Sequence, residues 1–137
     1  DLEFNAIKGG GGALFREKMV ASLAKEVIWV VDESKVVQKL GKFHLPVEIL
    51  PFGYIQTMKR LQDFNPVLRL QDNKPFITDN GHYILDLHLG VGFNVLNVQK
   101  TLLNTIGVLE TGLFINMCKR VIVGTNEGVK VFENNLK

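Results

Sequence analysis

The sequence predicts an α/β protein, in which part of a parallel-sheet unit is joined to a smaller α+β unit of ferredoxin-like type. Three observations carry that expectation. "VIWVV" at 27–31 is short, wholly apolar and rich in β-branched residues, the mark of a strand covered on both faces in a parallel sheet. From residue 45 the patterns alternate as strand, helix, strand, strand, helix, strand, the order of a small two-layer α+β unit. Two apolar strands close the chain, "RVIVG" and "GVKVF", with Thr125, Asn126, Glu127 and Gly128 as the turn between them. These last strands are expected to rejoin the first unit, so that residues 1–44 and 116–137 form one domain and 45–115 the other.

Taken in order, the chain first offers a glycine run inside an apolar context, "IKGGGGALFREK" at 7–18. A slack linker would have polar flanks, whereas this run lies between Ile7 and the group Ala13, Leu14 and Phe15. "ALFREKMVASLAK" then reads as about three turns of helix, with helix formers throughout and no Pro or Gly. On a helical wheel Phe15, Met19 and Leu23 share one face, while Leu14, Val20, Ala21 and Ala24 cover much of the rest, so the helix is expected to be largely buried. Glu17 has Ala13, Leu14, Val20 and Ala21 at three and four positions away, none of them a charge partner. A carboxylate so placed is expected to be starved of water, which makes it a stronger base than a surface glutamate. Lys8 is its candidate opposite charge across the glycines; the alternative is that Lys8 and Glu17 form a purely structural buried pair.

The strand at 27–31 ends in Asp32, Glu33, Ser34 and Lys35, at the carboxyl end where ligands gather in open α/β sheets. Lys35 is therefore a candidate phosphate contact, against the alternative of a solvated loop lysine. In the smaller unit "LPVEILP" reads as a strand, 54–64 as a helix, 67–71 as a strand, "HYILDLHL" as an alternating strand opened by Gly81, and "NVLNVQKTLLNTI" as a helix ended by Gly107. The strand at "TGLF" is expected to complete that sheet. His82, Asp86 and His88 fall on one face of their strand and could in principle hold a metal, but a solvated outer face opposite Tyr83, Leu85, Leu87 and Leu89 is the expected reading. His44 stands alone in a loop and receives no role.

Composition bounds the rest. With 137 residues, 46% of them hydrophobic, and a mean hydropathy of +0.12, the chain is long and apolar enough for a buried core. The longest aliphatic and aromatic run, 27–31, is far too short to span a bilayer, and the opening residues with Asp1 and Glu3 do not read as a signal peptide. Sixteen basic residues against 14 acidic ones, without a dense basic cluster, disfavour a nucleic-acid partner. The lone Cys118 permits no internal disulfide, fits a reducing compartment and is expected to be a small buried hydrophobe. A phosphate loop needs its lysine after the glycines, and the dinucleotide fingerprint needs a third glycine where Leu14 and Phe15 stand. Both motifs are absent.

"IKGGGGALFREK", "VDESK", "LGKFHLPVEILP", "ITDNGHYILDL", "GLF" and "VIVGTNEGVKVF", in that order and spacing, together resemble the A-type ribose-5-phosphate isomerase family across essentially the whole chain. The glycine segment and the "GKF-x-LPVE" segment are the specific ones. The resemblance implies part of a Rossmann-like isomerase domain with a ferredoxin-like companion, and reversible conversion of ribose 5-phosphate to ribulose 5-phosphate in the pentose phosphate pathway. It implies no metal or other cofactor, a cytoplasmic location, and a homodimer or homotetramer. By resemblance, Glu17 of the "REK" turn is the proton acceptor, Lys8, Gly9, Gly10 and Gly11 line the substrate, and Lys35 also contacts it. The family's earlier "TGST" phosphate loop and acidic "DG-x-D" segment are not among these residues, so the chain is expected to be the C-terminal portion of a longer enzyme.

The chemistry suits those residue types. Converting an aldose to a ketose removes a proton next to a carbonyl and leaves an enediolate oxygen, which calls for a base and an oxyanion site together. Glu17 supplies the first, and Lys8 with the glycine amides the second. Two other classes are weighed against this one: a sugar-phosphate sensor using a similar pocket without catalysis, which would not need Glu17, and a purely structural module, for which a glycine run beside an isolated acid would be a liability.

Overall fold

The computed structural model describes residues 1–136. In chain order its elements are β1 (Ala6–Ile7), α1 (Leu14–Leu23), β2 (Ile28–Asp32), β3 (Leu45–Ile49), α2 (Tyr54–Arg60), β4 (Pro66–Leu68), β5 (Leu70–Gln71), β6 (Lys74–Pro75), β7 (Tyr83–Leu87), α3 (Val95–Leu103), β8 (Val108–Thr111), β9 (Leu113–Phe114), β10 (Arg120–Thr125) and β11 (Gly128–Glu133). Short 3-10 turns follow β2 at Glu33–Lys35 and α2 at Gln62–Phe64.

The mixed α/β class and the ferredoxin-like order are those expected. Of the run β3, α2, β4, β7, α3 and β8, the four strands form a sheet in the order β4-β7-β3-β8, with each adjacent pair antiparallel. Strict alternation divides the sheet into two faces. Leu45, Val47, Ile49, Leu85 and Leu87 look one way and join Leu61 of the loop after α2 and Val98 and Leu102 of α3 in the main core. At about 25 cal/mol per Å² of buried apolar surface, such fully enclosed aliphatic side chains contribute roughly 1.5–3 kcal/mol each. α3 is capped by Asn94, whose side chain accepts from the Asn97 amide.

The strand that closes this sheet is not "TGLF". Val108–Thr111 pairs with β3, and Leu113–Phe114 leaves to pair antiparallel with β1, matching Ala6 with Phe114 and Ile7 with Leu113. Gly112 makes the change of partner possible, because its amide donates to Pro46 O at 2.7 Å while its own carbonyl accepts from the Lys8 amide at 2.8 Å. The expected strand at 67–71 is likewise split at Arg69, and β5 turns back on β6 through Asp72 and Asn73, both at positive φ (52° and 63°). That is the paired left-handed geometry of a tight hairpin.

β2 and β10 pair in parallel and β11 completes a three-stranded sheet by hairpin, in the order β11-β10-β2. The expectation that β2 is covered on both faces fails. Ile28 and Val30 share a face with Ile122, Val129 and Val131, and Val30 is 74% exposed. Among the described residues no helix packs there. α1 leans instead on β3 and β8, the outer face of the four-stranded sheet. Cys118 is buried as expected, and burial raises its thiol above the ordinary range. No helix is long and apolar enough to cross a membrane, among the described residues.

Candidate functional site

β1, held by β9, delivers Lys8 to the mouth of a cleft of about 960 Å³ whose lining includes Lys8, Gly9, Gly10, Gly11, Glu17 and Lys35. All six residues singled out in the sequence therefore border one space. Trp29, Val31, Val121 and Val123, on the second face of the three-stranded sheet, form its apolar wall. Lys8 Nζ lies 3.3 Å from Glu17 Oε2 and 5.7 Å from the centre of the buried Phe114 ring.

The glycines divide into two kinds. Gly9 has φ 102° and a side chain there would strike Leu14 Cβ at 2.8 Å; Gly12 has φ 86° and a side chain would strike the Phe76 ring at 2.5 Å. These two make the turn that swings the chain into α1, closed by the Gly12 amide donating to Gly9 O at 2.9 Å. Gly10 and Gly11 are different. Neither has a left-handed φ; a methyl on Gly10 would make only ordinary contact with Phe43 at 3.6 Å, and one on Gly11 would meet nothing within 4 Å. The protein itself gives Gly11 no reason to be glycine.

The solvation expected at Glu17 is corrected. Its side chain is 45% exposed, and that of Lys8 36%. Of the apolar residues of α1 only Leu14 is fully buried; Met19, Val20 and Leu23 are exposed. The physical reason is that apolar residues ring the helix instead of forming one stripe, and a helix resting on a single sheet can bury only one side. The ion pair is present and the desolvation is not.

What anchors α1 is polar. Lys18 Nζ donates to Glu110 Oε1 at 2.8 Å and to Thr111 O at 2.5 Å, with the two side chains 13% and 20% exposed. Arg16 donates to Asn80 Oδ1 and Asp79 O, both at 3.2 Å, and Asn80 in turn donates to Glu48, which is fully buried on β3. Burial pulls the Lys18 ammonium below its ordinary value, against the opposing pull of Glu110. Removing Glu110 leaves that cation buried without a carboxylate, so Glu110→Ala is expected to cost about 3 kcal/mol in urea unfolding, whereas the double change Lys18→Met with Glu110→Leu is expected to be near neutral. Equal losses in both proteins would show that the pair is not what holds α1.

The outer face of the four-stranded sheet is not solvated either. Asp86 is 9% exposed and takes both Arg69 Nε (2.9 Å) and Nη2 (2.6 Å), with His44 Nε2 at 3.3 Å; His82 Nδ1 sits 3.7 Å from Glu48 Oε1. Only His88 of the three expected outer residues is exposed. Among the described residues no group of three or more His, Cys, Asp or Glu is arranged to hold a metal ion. Asp86 was expected to face solvent and His44 to have no role, and Arg69 was not singled out; their meeting was missed, although an acid in the middle of each central strand, Glu48 and Asp86, was the available signal. Lys35 lies in the turn after β2, where Asp32 accepts from the Ser34 amide at 2.9 Å and from the Ser34 hydroxyl. That hydroxyl bond, first, and then the amide bond hold the Asp32 carboxyl below its ordinary value.

Residues 1–128 match the family model described as ribose 5-phosphate isomerase A (phosphoriboisomerase A). Over 98% of its length the chain is 47% identical to ribose-5-phosphate isomerase A of Bifidobacterium adolescentis, of which it covers 59%. Among solved structures, ribose 5-phosphate isomerase A from Methanocaldococcus jannaschii superposes with a TM-score of 0.89 at 40% identity, over 98% of this chain and 61% of that one. A D-ribose-5-phosphate isomerase in complex with phospho-erythronic acid superposes with a TM-score of 0.90 at 37% identity, over 96% and 60%. The chain thus spans about three fifths of the length of these relatives.

Proposed function

Because the chain belongs to the ribose 5-phosphate isomerase A family, we propose that the protein carrying it interconverts D-ribose 5-phosphate and D-ribulose 5-phosphate through an enediolate. Glu17 takes the proton from carbon 2 and returns it to carbon 1. Lys8, 3.3 Å away, supplies positive charge where the oxyanion forms, and the free amides of the glycine run supply donors. Lys35, on the turn after β2 and lining the same cleft, meets the phosphate. In this reading residues 1–44 and 116–137 belong to the catalytic domain and 45–115 to the ferredoxin-like one. Work in the cytoplasm as a homodimer or homotetramer of the pentose phosphate pathway, without metal or cofactor, completes the proposal. A single unpaired thiol, Cys118, is compatible with that compartment.

One observation supports the reading above the rest: Gly11 borders the cleft beside the Lys8–Glu17 pair with neither a conformational nor a steric need to lack a side chain. Room for a close-fitting occupant explains it. In the natural full-length protein, Gly11→Ala is expected to leave stability equal or raised by about 0.4–1 kcal/mol, since alanine has less conformational freedom to lose. Its kcat/KM for ribose 5-phosphate is expected to fall by roughly tenfold or more, as a methyl displaces the sugar from its donors. A parent protein that neither isomerises ribose 5-phosphate nor exchanges its carbon-2 hydrogen with deuterium oxide would refute the proposal. Full activity in Gly11→Ala would remove its main support.

A further inference from the structure

Arg69 stands at the break between β4 and β5, and its amide donates to Ile84 O at 2.9 Å. Four of the five N–H donors of its guanidinium are engaged. Nε and Nη2 grip the two oxygens of Asp86, while Nη1 donates to the carbonyls of Gly9 (3.0 Å) and Gly10 (3.1 Å). Both side chains of the ion pair are nearly enclosed, at 14% and 13% exposure. The guanidinium also lies 5.8 Å from the centre of the Phe76 ring, and His44 Nε2 lies 3.3 Å from Asp86 Oδ1. Arg69 is not part of the cleft wall; it lies behind the glycine run.

The direction of the amides follows from peptide geometry. Among the described residues every peptide bond is trans, and in a trans peptide the C=O of one residue and the N–H of the next point in opposite directions. Drawing the Gly9 and Gly10 carbonyls back onto Arg69 therefore turns the Gly10 and Gly11 N–H groups away from it, on the side where both residues line the cleft. Neither amide donates to any group among the described residues. A cation on the carbonyl also polarises the peptide and strengthens its N–H as a donor. With Asp86 opposite, Arg69 has no spare charge for a substrate, so its contribution is direction and polarisation.

We infer that Arg69, fixed by Asp86, is a positioning residue that presents the Gly10 and Gly11 amides to the cleft as oxyanion donors. The inference rests on the isomerase reading above and adds to it a residue from the ferredoxin-like unit. It gives the buried Asp86 of β7 a role.

The test uses the natural full-length protein with Arg69→Met and Arg69→Lys; the lysine keeps the cation and cannot serve Asp86 and two carbonyls together. Two ligands are compared by calorimetry: a phosphorylated aldonic acid, whose carboxylate imitates the enediolate, and a phosphorylated alditol, which has no such group. Loss of one oxyanion donor costs about 10²–10³ in kcat, so kcat and aldonate affinity are expected to fall roughly 10–100-fold in either variant, with KM and alditol affinity within about threefold. Unchanged kcat and aldonate affinity would overturn the inference and leave the isomerase reading standing. Equal weakening of aldonate and alditol would also overturn it, since a residue that merely supports the loop would produce that result. If Arg69→Met does not fold, Arg69→Lys alone decides. An inactive parent would instead overturn the isomerase reading, and one that binds neither ligand would overturn both.

Discussion

Glu17→Gln in the natural full-length protein is expected to lower kcat by roughly 10²–10⁴-fold, the usual worth of a positioned proton-transfer group, with little change in KM. The fold should not suffer. The Lys8–Glu17 pair is 36% and 45% exposed, and ion pairs so open to solvent contribute about 1 kcal/mol at most, so the melting temperature is expected to stay close to the parent's. That separation makes the result interpretable, because an activity loss of such size cannot be charged to unfolding. Isomerase turnover and exchange of the carbon-2 hydrogen are the measurements. Turnover within about tenfold of the parent would remove Glu17 as the base and leave general acid–base transfer to another group.

Gly112→Ala is expected to carry a large stability penalty, because the added methyl meets main chain on both sides. A Cβ there would lie 2.2 Å from Lys8 O and 3.1 Å from Pro46 O, and these are main-chain atoms that cannot rotate aside. Two short bonds, Lys8 amide to Gly112 O and Gly112 amide to Pro46 O, would be forced open together. Overpacking of this kind costs about 3 kcal/mol, which for a chain of this size is a fall in melting temperature on the order of 10 °C. Lys8 would move with its strand, so activity should drop at temperatures where the variant is still folded. Thermal melts and initial rates measured side by side would show it; a melt matching the parent's would mean that β1 and β9 can separate at no cost.

The sequence was most legible where local chemistry and tertiary demand agree. The alternating patterns from 45 to 115 yielded the strand-helix-strand-strand-helix-strand order of the four-stranded sheet, though not its last strand or the β5–β6 hairpin, because a sheet with one apolar face writes its period directly into the chain. The glycine run, Lys8, Glu17 and Lys35 were legible as residue types that chemistry groups together, and they do border one cleft. Solvation was not legible. Apolar residues ring α1, so composition pointed to burial, but which side a helix buries depends on what lies against it, and here only Leu14 of those apolar residues is fully buried. The same failure applies to β2, whose wholly apolar run reads as doubly covered while Val30 faces outward. Arg69 and Asp86 escaped for the opposite reason: residues 17 apart in the chain meet as a pair only once β4 lies beside β7, and an Asp in an alternating strand reads as a polar face toward water until something polar is found against it.

The clasp of Arg69 on the glycine run has a consequence for protein engineering. None of Lys8, Glu17 and Lys35 belongs to the segment 45–115, so that segment looks removable, and a minimal enzyme made by excising it and splicing the flanks would retain every one of those three side chains. Such a shortened chain would nevertheless lose the backing that orients its two donor amides, along with Glu110 and Asn80, on which the helix bearing Glu17 is moored. Miniaturisation would spare the named groups and scatter them.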